Sequence, residues 1–230
     1  MTRDELFAIA EDATRDAELR SGDIPAIDLY VDQIINLIAT RLGAGSERYR
    51  DRQLTKTMIN NYSKDGIIMP VKGKKYTKEQ IMQILTVYSL KNTLSIGEIK
   101  RLLYGAYSAE GFGERELTAV YDRHQDIKNS HRTQALALLG DILDSNSLDA
   151  QNDTDYVTAI CALVSLSAYL KNIAQCMIDE KFPEPCEEDS EKDKEKEKKD
   201  KEKSKEKKEK DKTKKKKKDA EASEAVLTDE

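Results

Sequence analysis

Between residues 54 and 103 the chain reads LTKTMINNYSKDGIIMPVKGKKYTKEQIMQILTVYSLKNTLSIGEIKRLL. Thr77 and Ser95 each stand three positions before a side chain that can reach back, Gln80 and Glu98. That spacing caps a helix N-terminus in both directions. Two helix starts this close together leave room only for short helices and tight turns. A third follows Thr55, whose hydroxyl can accept a first-turn N–H of a helix running to about Lys64. Gly66 supplies the left-handed stop. Ile67 and Ile68 then bring the chain back to a core, and 70–76 is a tight turn or small hairpin rich in lysine. The helix after Thr77 gathers Ile81, Ile84, Leu85 and Tyr88 on one side, and the one after Ser95 buries Ile96, Ile99, Leu102 and Leu103.

The remainder extends the helical pattern. Thr2 and Glu5 predict a peripheral amphipathic helix over 2–20, with Leu6, Ile9, Ala10 and Ala13 on one face. Ile27, Val31, Ile34, Ile35, Ile38 and Leu42 predict another, ended by Gly43 and Gly45. Residues 46–53 form a polar connector carrying Arg48, Arg50 and Arg52. Residues 105–113 read as a flexible glycine-bearing connector. From 114 to about 144 the pattern is helical but broken near Asn129 and Ser130, with Leu136, Leu139, Ile142 and Leu143 as its apolar face. In a long helix over 153–181, Tyr156, Ile160, Leu163, Ser167, Leu170, Ala174 and Met177 recur by fours and threes. This seam suits an internal packing helix or a homodimer interface equally well.

With no Trp and three Phe, the core must rest on Ile, Leu, Val, Tyr and Ala, which favours helices. The expected fold class is all-α, mostly helical. Residues 187–219 hold no apolar side chain and cannot offset their ordering entropy by burial. The predicted organisation is an N-terminal helical extension (1–23), a winged-helix-like domain (24–104), a helical, dimerising or ligand-sensing domain (105–182) and a disordered Lys/Glu-rich tail (183–230).

Charge is segregated more sharply than the total of −5 suggests. Residues 1–45 carry −5, 46–104 carry +7, 105–183 carry −6 and the rest −1. The surplus of positive charge thus coincides with the capped helices and the lysine turn, which points to a polyanion as partner. No secretion leader opens the chain and no uncharged run approaches the length of a membrane span. Cys161, Cys176 and Cys186, odd in number and widely spaced, then suggest reduced thiols in the cytoplasm. The two in the long helix read as small buried hydrophobes. His124 and His131 lack the partners of a metal set, and no glycine-rich loop precedes Lys74 or Lys75. No cofactor, metal or enzymatic activity is expected.

Side chains on the first turns of a recognition helix reach base edges in a major groove. Here that helix starts at Thr55. Asn60 and Asn61 suit adenine, since a carboxamide offers one donor and one acceptor. Lys56, Thr57 and Lys64 suit phosphates, and Lys72, Lys74 and Lys75 on the following turn would grip the backbone of double-stranded DNA as a wing. An adaptor that keeps this fold but binds a protein is the alternative.

The run LTKTMINNYSKDGIIMPVKGKKYTKEQI, followed by LSIGEIKRLL and preceded by IPAIDLYVDQI, resembles the bacterial family known as domain of unknown function 1836. That family is itself similar to the MerR-type regulators. The resemblance covers about 24–103 and implies a winged helix-turn-helix, DNA binding and a role in bacterial transcription. It also implies that Thr55 opens the recognition helix, and that Tyr62 is a DNA-contacting or core tyrosine. By the same likeness Gly66, Ile67, Ile68 and Pro70 form the helix exit, and Tyr76 with Thr77 closes the wing. Asn60 and Asn61 replace the Arg-Tyr pair usual before Tyr62, the wing is shorter, and the link over 43–53 is longer.

Overall fold

The structure, a computed structural model, describes residues 1–15, 19–42, 54–71 and 73–184. The described residues up to Pro183 belong to one compact unit. The expectations for Arg48, Arg50, Arg52, Lys72, Cys186 and the tail from 185 onward fall outside the described residues.

The fold is mostly helical. In chain order it comprises α1 (Arg3–Thr14), a 3₁₀ turn (Ser21–Asp23), β1 (Leu29–Tyr30), α2 (Val31–Leu42), α3 (Lys56–Lys64), β2 (Lys75–Tyr76), α4 (Lys78–Leu90), α5 (Ile96–Tyr107), α6 (Glu114–Ser145) and α7 (Asp153–Lys181). Three reciprocal caps form at the predicted places: Thr2 with Glu5, Thr77 with Gln80 and Ser95 with Glu98. Each satisfies two N–H groups that a helix start otherwise leaves unpaired. Thr55 caps α3 by accepting from the Met58 N–H at 3.2 Å, and Gly66 takes the left-handed conformation at φ +65.

Five local expectations change. The first helix ends at Thr14 rather than near 20, and Ile9 on its expected apolar face is 50% exposed. Ile27 is 69% exposed and precedes the second helix, because Leu29 and Tyr30 are drawn into an antiparallel pair with Tyr76 and Lys75. The Tyr30 N–H instead donates to Gln33 Oε1 at 2.9 Å, which starts α2. Ile96 sits in the first turn of α5 and stays exposed. α5 continues through Gly105 to Tyr107, so the connector before α6 is only 108–113. α6 passes Asn129 and Ser130 unbroken for 32 residues. There the Ser130 hydroxyl donates back to the Ile127 carbonyl at 2.8 Å, and the few tenths of a kcal/mol these residues cost a helix are too little to interrupt packing on both sides.

The main core runs from Leu19 and Ile24 through α2, α3, α4 and α5 to Leu117 and Tyr121 of α6, with Ile178 of α7. Ile34, Ile59, Ile81, Met82, Ile84, Val87 and Ile99 are sealed from solvent. A smaller cluster joins Leu139 and Leu143 of α6 to Ala159 of α7 and to Leu6, Phe7 and Ala10 of α1. α6 is tied to the segment before β1 by polar contacts. The Ser21 N–H and hydroxyl both donate to the Asp122 carboxylate, Arg20 pairs with Asp126 at 2.6 Å, and the Tyr121 hydroxyl donates to the Leu19 carbonyl at 2.6 Å.

α7 is fastened at its C-terminal end. Gln175 Nε2 donates to Glu98 at 2.6 Å, Arg101 pairs with Asp179 at 2.6 Å, and the Phe182 ring fills the space beside Gly105 that a β-carbon would occupy. Elsewhere it is largely uncovered. By length and composition alone it could cross a membrane, and 6% of its apolar window is buried. Of the expected seam, Tyr156, Leu163 and Ala174 are half-buried, whereas Ile160, Leu170 and Met177 lie exposed. The helix is apolar on more than one side, so spacing alone does not select the face that meets α6.

Candidate nucleic-acid interface

α3 has a clean division of faces. Met58, Ile59 and Tyr62 point into the core, the last two buried, which leaves Lys56, Thr57, Asn60, Asn61 and Lys64 on the outer arc at one, three and four residue offsets. All five are exposed. Burial raises the Tyr62 pKa above its ordinary value, so this residue is the core tyrosine of the two roles its resemblance allowed. Thr55 is committed to capping.

Two of the cations already have partners. Lys56 lies 3.4 Å from the Asp32 carboxylate of α2, both well exposed, an arrangement worth little in water and readily exchanged for a phosphate. Lys75 on β2 stands over the Tyr30 ring at 5.1 Å. Lys74 is exposed. Between them and α3, Gly73 takes φ +85, a turn conformation that suits glycine.

The turn that follows α3 is held by two glutamines, Gln80, which the sequence marked only as a cap partner, and Gln83, which it did not single out. Gln83 is wholly buried, and its Oε1 accepts the Met69 N–H at 2.7 Å. Gln80 does double duty: its Oε1 accepts the Thr77 N–H at 2.9 Å, and its Nε2 donates to the Pro70 carbonyl at 2.8 Å. A buried backbone turn must pair its N–H and C=O groups with something, and here α4 supplies both partners. The signal was present in QIMQIL, two amides among apolar residues, but its direction was not. Lys100 of α5 was also missed. Its ammonium lies beside Gly66, 3.8 Å from where a β-carbon would stand, which adds a cation where α3 ends and the next turn begins. Thirty-six positions from Lys64, no local spacing could associate the two.

Lys91 sits on the inner side of α3, with Nζ 3.3 Å from Met58 Sδ and 4.6 Å from the Tyr88 ring centroid. Burial lowers its pKa. His124 is partly buried on α6, and desolvation, followed by Lys128 and His131, lowers its pKa. Cys161 and Cys176 are exposed on α7 rather than buried. They project from the faces that neither α5 nor α6 covers. Among the described residues no group of three or more His, Cys, Asp or Glu is placed to hold a metal ion.

No curated protein and no solved structure matches the chain. A family match does exist, and its limits follow the larger core, from Leu19 to just beyond Tyr121. Residues 19–124, which include α3, the turn after it and the helices that brace them, match the family described as Domain of unknown function (DUF1836).

Proposed function

We propose that this chain binds double-stranded DNA through α3 and the turn that follows it, as a non-enzymatic, cytoplasmic regulator of bacterial transcription. The observation that carries the reading is the outer arc of α3. Its two carboxamides, two lysines and one hydroxyl stand exposed, with no apolar residue among them. An α-helix is about 10–12 Å across with its side chains, which fits a major groove about 12 Å wide.

The order β1, α2, α3, turn, β2, α4 supports a MerR-like winged helix. The β1–β2 pair ties the wing to the strand before the first helix, and Gln80 and Gln83 hold the wing's entry rigid, so Lys74 and Lys75 have a fixed relation to α3. In this arrangement Asn60 and Asn61 read base edges, while Lys56, Thr57, Lys64, Lys74, Lys75 and Lys100 contact phosphates. Lys72 belongs to the same group by sequence.

Gel-shift titration against random genomic fragments at several salt concentrations tests this. Expected are a salt-sensitive shift and a loss of sequence preference in Asn60→Ala with Asn61→Ala. No shift for the intact protein, at any salt, rejects it. A second reading, a protein-binding adaptor, draws on the uncovered apolar surface of α7. Protein partners that survive nuclease and high salt in a pull-down would favour it.

A further inference from the structure

α7 carries a surface that folding of a single chain leaves unused. Val157, Val164, Tyr169, Leu170, Ile173 and Met177 are each between 57% and 67% exposed. Together, over two sides of the helix, they present about 700 Å², close to the ~800 Å² each partner gives to a stable interface. From 156 to 170 the helix has no charged residue, and at the groove Lys171 is the one charged side chain, so a strongly acidic or basic partner would find little to pair with, whereas a like apolar surface fits.

We propose that a second copy of this chain covers α7, each copy seating the apolar ridge of its own α7 in a leucine-lined groove of the other. The groove is an open cavity of about 380 Å³ between the end of α4, α6 and α7, walled by Leu90, Leu94, Leu138, Leu163, Leu166 and Leu170. Tyr169, Ile173 and Met177, four residues apart, form the ridge along one side of the helix. Ridge and groove belong to the same chain, so a two-fold axis satisfies both at once. Val157 and Val164 lie on roughly the opposite side of α7. The partner therefore reaches round the helix instead of lying along one stripe.

A lipid surface fits less well. Insertion would strip Gln175 from Glu98, Asp179 from Arg101, and Phe182 and Ile178 from their seats on α5 and the main core. The buried Ala159 would leave α6 as well. The interface also brings Leu90 at the end of α4 and Leu94 in the turn after it into the dimer contact. Presentation of two wings to paired half-sites rests on the DNA-binding reading; the interface itself does not.

Light scattering of the full 26.1 kDa chain at micromolar concentration tests the proposal, with Ile173→Glu plus Met177→Glu as the variant. The remote, 69% exposed Ile27→Glu serves as control. Expected are a dimer for wild type and control, and a dimer weakened at least about tenfold for the double variant, with circular dichroism and melting unchanged. If the double variant loses helix content, Tyr169→Glu and Val157→Glu, each on an exposed position, are read the same way. A monomeric wild type, or a dimer indifferent to all these variants, overturns the proposal. So does a wild-type monomer that floats with phosphatidylcholine–phosphatidylglycerol vesicles, which would assign α7 to lipid. Failure of an intact dimer to shift DNA rejects only the DNA-binding reading.

Discussion

At the scale of single residues, the side chains that hold the site are those whose polar atoms have no second choice. The Gln83 amide is sealed in the core with the Met69 N–H as its partner. Gln83→Ala leaves that N–H unpaired and opens a cavity, at a cost of about 2–3 kcal/mol in urea denaturation. It should also loosen the wing, measured as faster amide exchange at 69–76; unchanged exchange there would refute the pinning role. At Gly105 the argument is steric. A methyl group would drive into the Phe182 ring, so Gly105→Ala should lose about 1–3 kcal/mol, with most of the loss relieved when Phe182→Ala is added. An additive double variant would show that the two residues do not touch. Tyr121→Phe removes a donor from the Leu19 carbonyl and should cost about 1 kcal/mol. Asn60, Asn61 and Lys64 make no such contributions to folding, and their replacement by Ala should leave stability within about 0.5 kcal/mol.

At the scale of elements, sequence patterning was a good guide wherever the determinant was local. The caps at Thr2, Thr55, Thr77 and Ser95, the stop at Gly66 and the buried face of α3 all depend on residues within four positions, and all formed where their spacing put them. β1 escaped notice because two residues have no periodicity; only Lys75 and Tyr76, forty-five positions away, make Leu29 and Tyr30 a strand. The same limit hid Lys100 beside Gly66. If α3 and the wing form one phosphate-binding surface, Lys64→Ala, Lys74→Ala and Lys100→Ala should each lower the slope of log affinity against log salt by about one, without altering sequence preference. The check is a filter-binding series in potassium chloride. A variant that loses affinity while keeping its slope does not contact phosphate.

At the scale of the whole molecule, pH enters through groups that packing desolvates or pairs. Burial, with Lys128 and His131 nearby, lowers the His124 pKa from its ordinary 6.5, so the unfolded chain takes up this proton more readily than the folded one. Stability from neutral His124 is therefore complete above about 6.5 and erodes as pH falls through the lowered folded value. His124→Gln should flatten that part of the profile in denaturation midpoints at stepped pH, and a profile unchanged by it would exclude His124 as the source. Glu98 is held low by the Ser95 N–H and then by Gln175. Its contribution is present above the ordinary carboxylate range and is lost only in stronger acid, where the fastening of α7 to α5 should fail with it.

The sequence by itself determined the capped helix starts, the polar face of α3, the segregated charge and the mostly helical class, because each follows from neighbours along the chain and from composition. Only the tertiary structure decided that Gln80 and Gln83 turn inward to hold the turn after α3, that Lys100 lies beside the end of α3, and which sides of α7 face α5 and α6. Those outcomes depend on which distant backbone groups and side chains meet in three dimensions. A helix apolar on several sides, such as α7, carries no local sign of which side its own chain will cover.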